Sequence, residues 1–137
     1  MVNMLEVREG FTDELFEMVY AAFKVIPECV DRLRPIPEAK DKLRNMKWVV
    51  GVYNGQECVA ALWGDAEAQA ICKPSWQGKW MTRSVLNQFF KIHFAKYNEL
   101  LAVPRTWLAI TVLKRLGFKD YSNDMVLTKA DWENRCR

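Results

Sequence analysis

The chain has 137 residues, half of them hydrophobic, with six tryptophans and a net charge of +3. That is enough apolar material for one domain spanning residues 1–137, and no run of about 18 apolar residues exists to cross a membrane. Met1 to Glu9 lacks the apolar stretch of a signal peptide, so the expectation is a soluble, cytoplasmic protein whose cysteines are reduced.

Those cysteines are Cys29, Cys58, Cys72 and Cys136, with no CxxC pair and one histidine in the chain. A metal site needs clustered ligands, so none is expected. Residues 1–69 hold 8 basic and 12 acidic side chains, whereas residues 70–137 hold 12 and 5. Between Ala70 and Lys119 there are nine basic residues and one acid, Glu99. A field of that sign attracts a phosphorylated cofactor or a nucleic acid, although solvated helix faces give the same count.

Met4 to Arg8 reads as a strand. Thr12 is a good helix N-cap, followed by Asp13 and Glu14, and Phe11 is placed to staple onto Phe16. Leu15, Met18, Val19 and Ala22 continue a helical stripe to about Phe23. Val25 to Arg44 is broken by Pro27, Pro35 and Pro37, with short helices expected near Glu28–Leu33 and Glu38–Leu43. Trp48 to Tyr53 and Glu57 to Trp63 form a hairpin around Asn54-Gly55. Glu67 to Cys72 is a further strand, ended by Pro74. Thr82 caps a helix to about Tyr97, with Leu86, Phe89, Phe90, His93, Phe94 and Tyr97 on one apolar face. A strand at Leu100–Val103 leads to a helix over Thr106–Leu116, stopped by Gly117 with Phe118 in apolar contact. A last hairpin is expected over Tyr121–Leu127. This order implies an α/β fold, a mixed sheet covered by helices.

A strand running into a loop that opens a helix suits an anion, because the first helical N–H groups have no intrahelical partner. Here that loop is Lys73-Pro74-Ser75-Trp76-Gln77-Gly78-Lys79-Trp80-Met81-Thr82-Arg83. Together with the closing Leu116-Gly117-Phe118, it resembles the GNAT family of N-acyltransferases. The resemblance covers most of the chain and is most specific from Ile71 to Phe118. It implies the acyl-CoA N-acyltransferase fold and acetyl-CoA as cosubstrate, with a primary amine of unknown identity as acceptor. In that family a Gln/Arg-x-x-Gly-x-Gly/Ala loop cradles the pyrophosphate. Gln77 stands at the first position, Gly78 and Lys79 look like the usual filling, and Trp80 and Thr82 occupy places where small residues are common. By the resemblance, Ile71, Cys72, Lys73, Gln77, Gly78, Lys79, Trp80, Met81, Thr82, Arg83 and Thr106 are the cofactor-binding candidates. The loop also resembles that of divergent GNAT-like proteins of tailed bacteriophages. That implies an alternative: a catalytically inactive structural protein, within a virion or against a host partner.

Acyl transfer to an amine needs a polarised carbonyl, a neutral amine and a leaving thiolate. Main chain at Ile71 and Cys72 serves the first, and Glu67 is the candidate base. The family's tyrosine that protonates the thiolate corresponds to Leu113 here, and Ala109 matches the helix that carries it. Tyr97 and Tyr121 are the substitute acids. His93 lies on an apolar stripe and reads as a core residue. Cys72 has no histidine beside it to make it a nucleophile. Trp76, Trp80, Phe89, Phe90 and Trp107 interleave with the basic residues, a pattern that can stack single-stranded nucleic acid. Their spacing is largely that of a helical core, so nucleic acid is disfavoured. The acids of Val25–Arg44 would meet a cationic acceptor. Trp48, Trp63 and Trp132 suit either a core or the interface of a homo-oligomer.

Overall fold

The computed structural model describes residues 4–26, 33–65, 67–104, 107–121 and 124–135. Their elements in chain order are β1 (Glu6–Glu9), α1 (Asp13–Val25), α2 (Ile36–Arg44), β2 (Trp48–Asn54), β3 (Glu57–Gly64) and β4 (Ala68–Cys72). A 3₁₀ turn follows at Pro74–Trp76, then α3 (Arg83–Phe94), β5 (Glu99–Ala102), α4 (Trp107–Leu116), β6 (Lys119–Tyr121), β7 (Asp124–Thr128) and α5 (Lys129–Arg135). The strands form one mixed sheet in the order β1-β2-β3-β4-β5-β7-β6. β4 and β5 are parallel, joined through Ala68 and Ala102, as the crossover helix between them requires. Two compact units are distinguished: Met1–Asp65 with Gln69–Phe89, and Ala66–Ala68 with Phe90–Arg137.

In the first unit, α1 begins where the sequence predicts. The Thr12 hydroxyl accepts from the Leu15 N–H at 3.0 Å, and the Phe11 and Phe16 rings lie 6.4 Å apart. The stripe Leu15, Met18, Val19 and Ala22 is buried together with Phe16, and packs with Leu43, Val49, Tyr53, Cys58, Ala61, Trp63 and Ile71. Burial of each large apolar side chain contributes roughly 1.5–3 kcal/mol. β2 and β3 are buried almost end to end, the pattern of strands covered on both faces. The Asn54-Gly55 hairpin forms, pairing Asn54 with Glu57.

The helix expected near Glu38–Leu43 forms as α2, and two of the segment's prolines start it. Pro35 is the N-cap of α2 and Pro37 lies in its first turn, where the missing N–H costs nothing. They start a nine-residue helix rather than break the segment. Of the other expected helix, Glu28–Leu33, all but Leu33 lies outside the described residues.

In the second unit, β5 starts one residue earlier than expected, at Glu99. α4 ends in a Schellman motif: Gly117 N–H donates to Lys114 O at 3.1 Å and Phe118 N–H to Leu113 O at 3.0 Å, with Gly117 at φ +104°. Ala109, Val112, Leu113 and Leu116 of this helix are half-buried rather than fully inward. β6 and β7 make the expected hairpin, whose Ser122-Asn123 turn lies outside the described residues. α5 is an addition to the expected elements. Thr128 caps it, accepting from the Asp131 N–H at 3.1 Å, and Trp132 packs on Phe94 with ring centroids 5.4 Å apart. Among the described residues no helix is long and apolar enough to cross a membrane.

Candidate functional site

The site begins with the backbone of β4. Lys73 N–H donates to Val59 O at 2.9 Å, so odd-numbered residues here bond towards β3. A strand's N–H groups alternate between its edges, which turns those of Ala70 and Cys72 to the opposite edge. Of the two positions expected to polarise a carbonyl, Cys72 therefore presents its amide away from β3. Ile71 places its side chain in the core, at 8% exposure.

After β4 the chain folds into successive tight turns. Trp76 N–H donates to Lys73 O (2.9 Å), Gln77 N–H to Pro74 O (3.3 Å), Lys79 N–H to Trp76 O (3.0 Å) and Thr82 N–H to Trp80 O (2.9 Å). Gly78 is the pivot. Its φ of +77° is one that other residues adopt reluctantly, and the space where a Cβ would stand has no atom within 4 Å. The N–H groups of Gly78, Trp80 and Met81 make no bond to a described residue.

Thr82 caps α3 as predicted. Its hydroxyl accepts from Val85 N–H at 3.2 Å and its carbonyl from Leu86 N–H at 3.0 Å. The N–H groups of Arg83 and Ser84 stay at the open end of the helix. Gln77, Gly78, Lys79, Met81, Thr82 and Arg83 are all exposed. Lys73 is half-buried and shares its charge with Glu57 at 3.6 Å.

Trp80 decides whether this loop is open. It is only 6% exposed, and it lies beside the Cys72 thiol, whose pKa its indole N–H lowers. The ring is packed inward against the end of β4, which leaves the loop's backbone and its two exposed cations at the surface. Burial raises the Cys72 pKa, and the indole N–H offsets part of that. The thiol is therefore neutral near pH 7, which does not suit a nucleophile.

Other candidates fall as follows. Glu67 is exposed and lies one residue before β4 rather than within it. Thr106 lies outside the described residues. His93 is buried, at 5% exposure; its Nε2–H donates to Glu99 O at 2.9 Å, and its ring stacks on Tyr97 with centroids 5.0 Å apart. Burial lowers its pKa, so it is a neutral core histidine. Tyr121 is 66% exposed. Trp107, at 81%, is exposed on α4 rather than stacked within a basic groove. No three His, Cys, Asp or Glu side chains cluster as metal ligands among the described residues.

The first unit also holds a cavity of about 640 Å³ between α1, α2 and the β3–β4 side of the sheet. Phe16, Tyr20, Phe23 and Trp63 form much of its wall, and Arg34, Lys42 and Gln69 complete it. Of the acids expected to meet a cationic acceptor, Glu38 pairs with Arg34 of this wall at 2.8 Å and Asp41 with Arg44 at 3.4 Å. Glu28 and Asp31 lie outside the described residues. Sequence reasoning missed this wall, although Phe16, Tyr20 and Phe23 recur at helical spacing beside the core stripe.

No protein-family model matches the sequence, and no curated protein matches it. Solved structures do. Aminoglycoside acetyltransferase AAC(6')-Ib, in complex with coenzyme A and kanamycin, superposes with a TM-score of 0.74 at 11% identity over 98% of this chain and 100% of that one. The spermidine/spermine N-acetyltransferase SpeG from Vibrio cholerae gives 0.72 at 16% identity, over 98% and 100%. The fold is that of the GNAT acetyltransferases. The putative acetyltransferase yncA from Salmonella typhimurium, solved with acetyl-CoA, has the same architecture at a TM-score of 0.68 and 14% identity, over 92% and 94%. At such identities the GNAT likeness is one of backbone architecture.

Proposed function

We propose that this chain is an acyl-CoA-dependent N-acyltransferase that carries an acetyl group from acetyl-CoA to a primary amine. The observation that supports it most is the inward packing of Trp80. It leaves the loop backbone beside an open helix N-terminus flanked by Lys79 and Arg83, a setting that suits a diphosphate. The positive φ of Gly78 and the empty space at its Cα fit close approach of such a group.

In this reading the N–H groups of Gly78, Trp80, Met81 and Arg83 and the side-chain cations of Lys79 and Arg83 hold the cofactor, on a loop shaped by Gln77 and Thr82, whose own N–H groups bond within it. Lys73 adds charge, and Thr106 is assigned by its place ahead of α4. Acetyl-CoA supplies the acetyl thioester. The Cys72 N–H polarises its carbonyl and Glu67 takes the proton of the amine. The amine nitrogen forms the new C–N bond as the C–S bond breaks, and the electron pair leaves on sulfur. Leu113 has no proton to give, so the reaction runs on positioning and carbonyl polarisation.

The same Leu113 favours a second reading, a GNAT-fold scaffold without catalysis. Isothermal titration of the chain with acetyl-CoA and with CoA tests the first: binding is expected, and its absence at millimolar ligand removes the proposal. Turnover with a panel of amines then separates enzyme from scaffold. Glu67→Gln should lower kcat while leaving CoA affinity unchanged.

A further inference from the structure

The cavity in the first unit has a chemistry of its own. Its volume of about 640 Å³ falls in the range of small-molecule sites, roughly 300–1,000 Å³. Phe16 and Tyr20 stand 5.5 Å apart by ring centroid, and Phe23 meets the edge of Trp63 at 6.2 Å. The charged side chains lining it are Arg34 and Lys42, and no carboxylate lines it among the described residues. The nearby acids are paired: Glu38 with Arg34 of the cavity wall, Asp41 with Arg44 and Asp13 with Lys40 at 2.8 Å.

We propose that this cavity is the acceptor site, and that it selects an amine with an apolar body and a carboxylate over polycationic amines. This rests on the acyltransferase reading and adds the substrate class to it. An aromatic or large aliphatic group is buried among the four rings, where it loses water and gains packing. A carboxylate meets Lys42, with Arg34, which already holds Glu38, adding positive charge beside it. A polyamine carries several positive charges into a site whose lining charges, Lys42 and Arg34, are positive, with Glu38 offsetting only the second. Gln69 ties the cavity to the chemistry. It lies on β4 three residues before Cys72, about 10 Å along a strand. An amine oriented over Gln69 is thus within one small molecule's length of the amide assigned to the carbonyl.

The test is titration calorimetry of the full chain with L-phenylalanine, L-phenylalaninamide and spermidine, each with and without saturating CoA. Phenylalanine is expected to bind at least tenfold more tightly than either of the others. Lys42→Gln is expected to weaken phenylalanine about tenfold, leaving the amide and CoA unchanged. Equal affinity for acid and amide, spermidine as tight as phenylalanine, or no binding of any probe overturns the inference. CoA bound by the same sample while phenylalanine is not sinks this assignment alone; loss of CoA binding sinks the acyltransferase reading.

Discussion

At the scale of the residue, two buried side chains carry the argument. Trp80 stands where the family resemblance places a small residue, yet it is buried and lies beside the Cys72 thiol. It belongs to the packing beneath the loop. Trp80→Ala should therefore cost about 3–5 kcal/mol, read as a lower midpoint in urea unfolding. An indole lying over the loop in solvent would cost little, so a change below about 1 kcal/mol refutes its inward placement. His93 gives a prediction in pH. Burial holds its pKa below the ordinary 6.5, and the unfolded chain protonates it near 6.5. The unfolded state thus binds the extra proton first as pH falls. The contribution of His93 is complete above pH 6.5 and is lost as pH drops through the folded value. His93→Gln should have a flatter stability profile than the parent between pH 7.5 and 5, measured by urea midpoints. Parallel profiles would refute this.

At the scale of the element, caps and close approaches set what each segment tolerates. Trp48 pairs with Gly64 across β2 and β3, and its indole lies over the glycine so closely that a Cβ would stand 2.5 Å from the Trp48 ring. Gly64→Ala should destabilise by about 1–3 kcal/mol through overpacking. Trp48→Ala in the same chain should remove most of that penalty, since the colliding ring is gone. Additive losses in that double-mutant cycle would show that the contact is not the cause. The elements that local chemistry specifies were legible in advance: the Thr12 and Thr82 caps, the Asn54-Gly55 turn, and the Gly117 stop with Phe118 behind it. Those that were not depend on context. Pro35 and Pro37 break a helix interior but start a helix equally well, and only their position relative to Ile36 decides. Thr128 with Asp131 three residues on is an N-terminal signal for α5, too short a segment to show helical periodicity beside it.

At the scale of the whole molecule, the sequence carried the loop's chemistry but not its state. Gln77, Gly78, Lys79 and Arg83 suggest an anion site by residue type, and the proposal rests on them, whereas the direction of Trp80 depends on the end of a strand folded back against it. The aromatic cavity is assembled from α1, α2, β3 and β4, so no single window of sequence contains it. Charge is the property that acts over distance, and it yields the last prediction. In the proposed reading, binding of CoA at the loop combines short-range bonds from backbone N–H groups with the longer reach of Lys79 and Arg83. Raising ionic strength from about 0.1 M to 1 M shortens the Debye length from about 10 Å to about 3 Å, which weakens the second contribution and leaves the first. Affinity for CoA should therefore fall with salt. Lys79→Ala and Arg83→Ala should each lower it about threefold to tenfold at low salt, the range expected of exposed charge-assisted contacts. In the double variant the residual binding should be much less sensitive to salt, because what remains is main chain and the half-buried Lys73, which shares its charge with Glu57. A double variant as salt-sensitive as the parent would place the anion away from the start of α3.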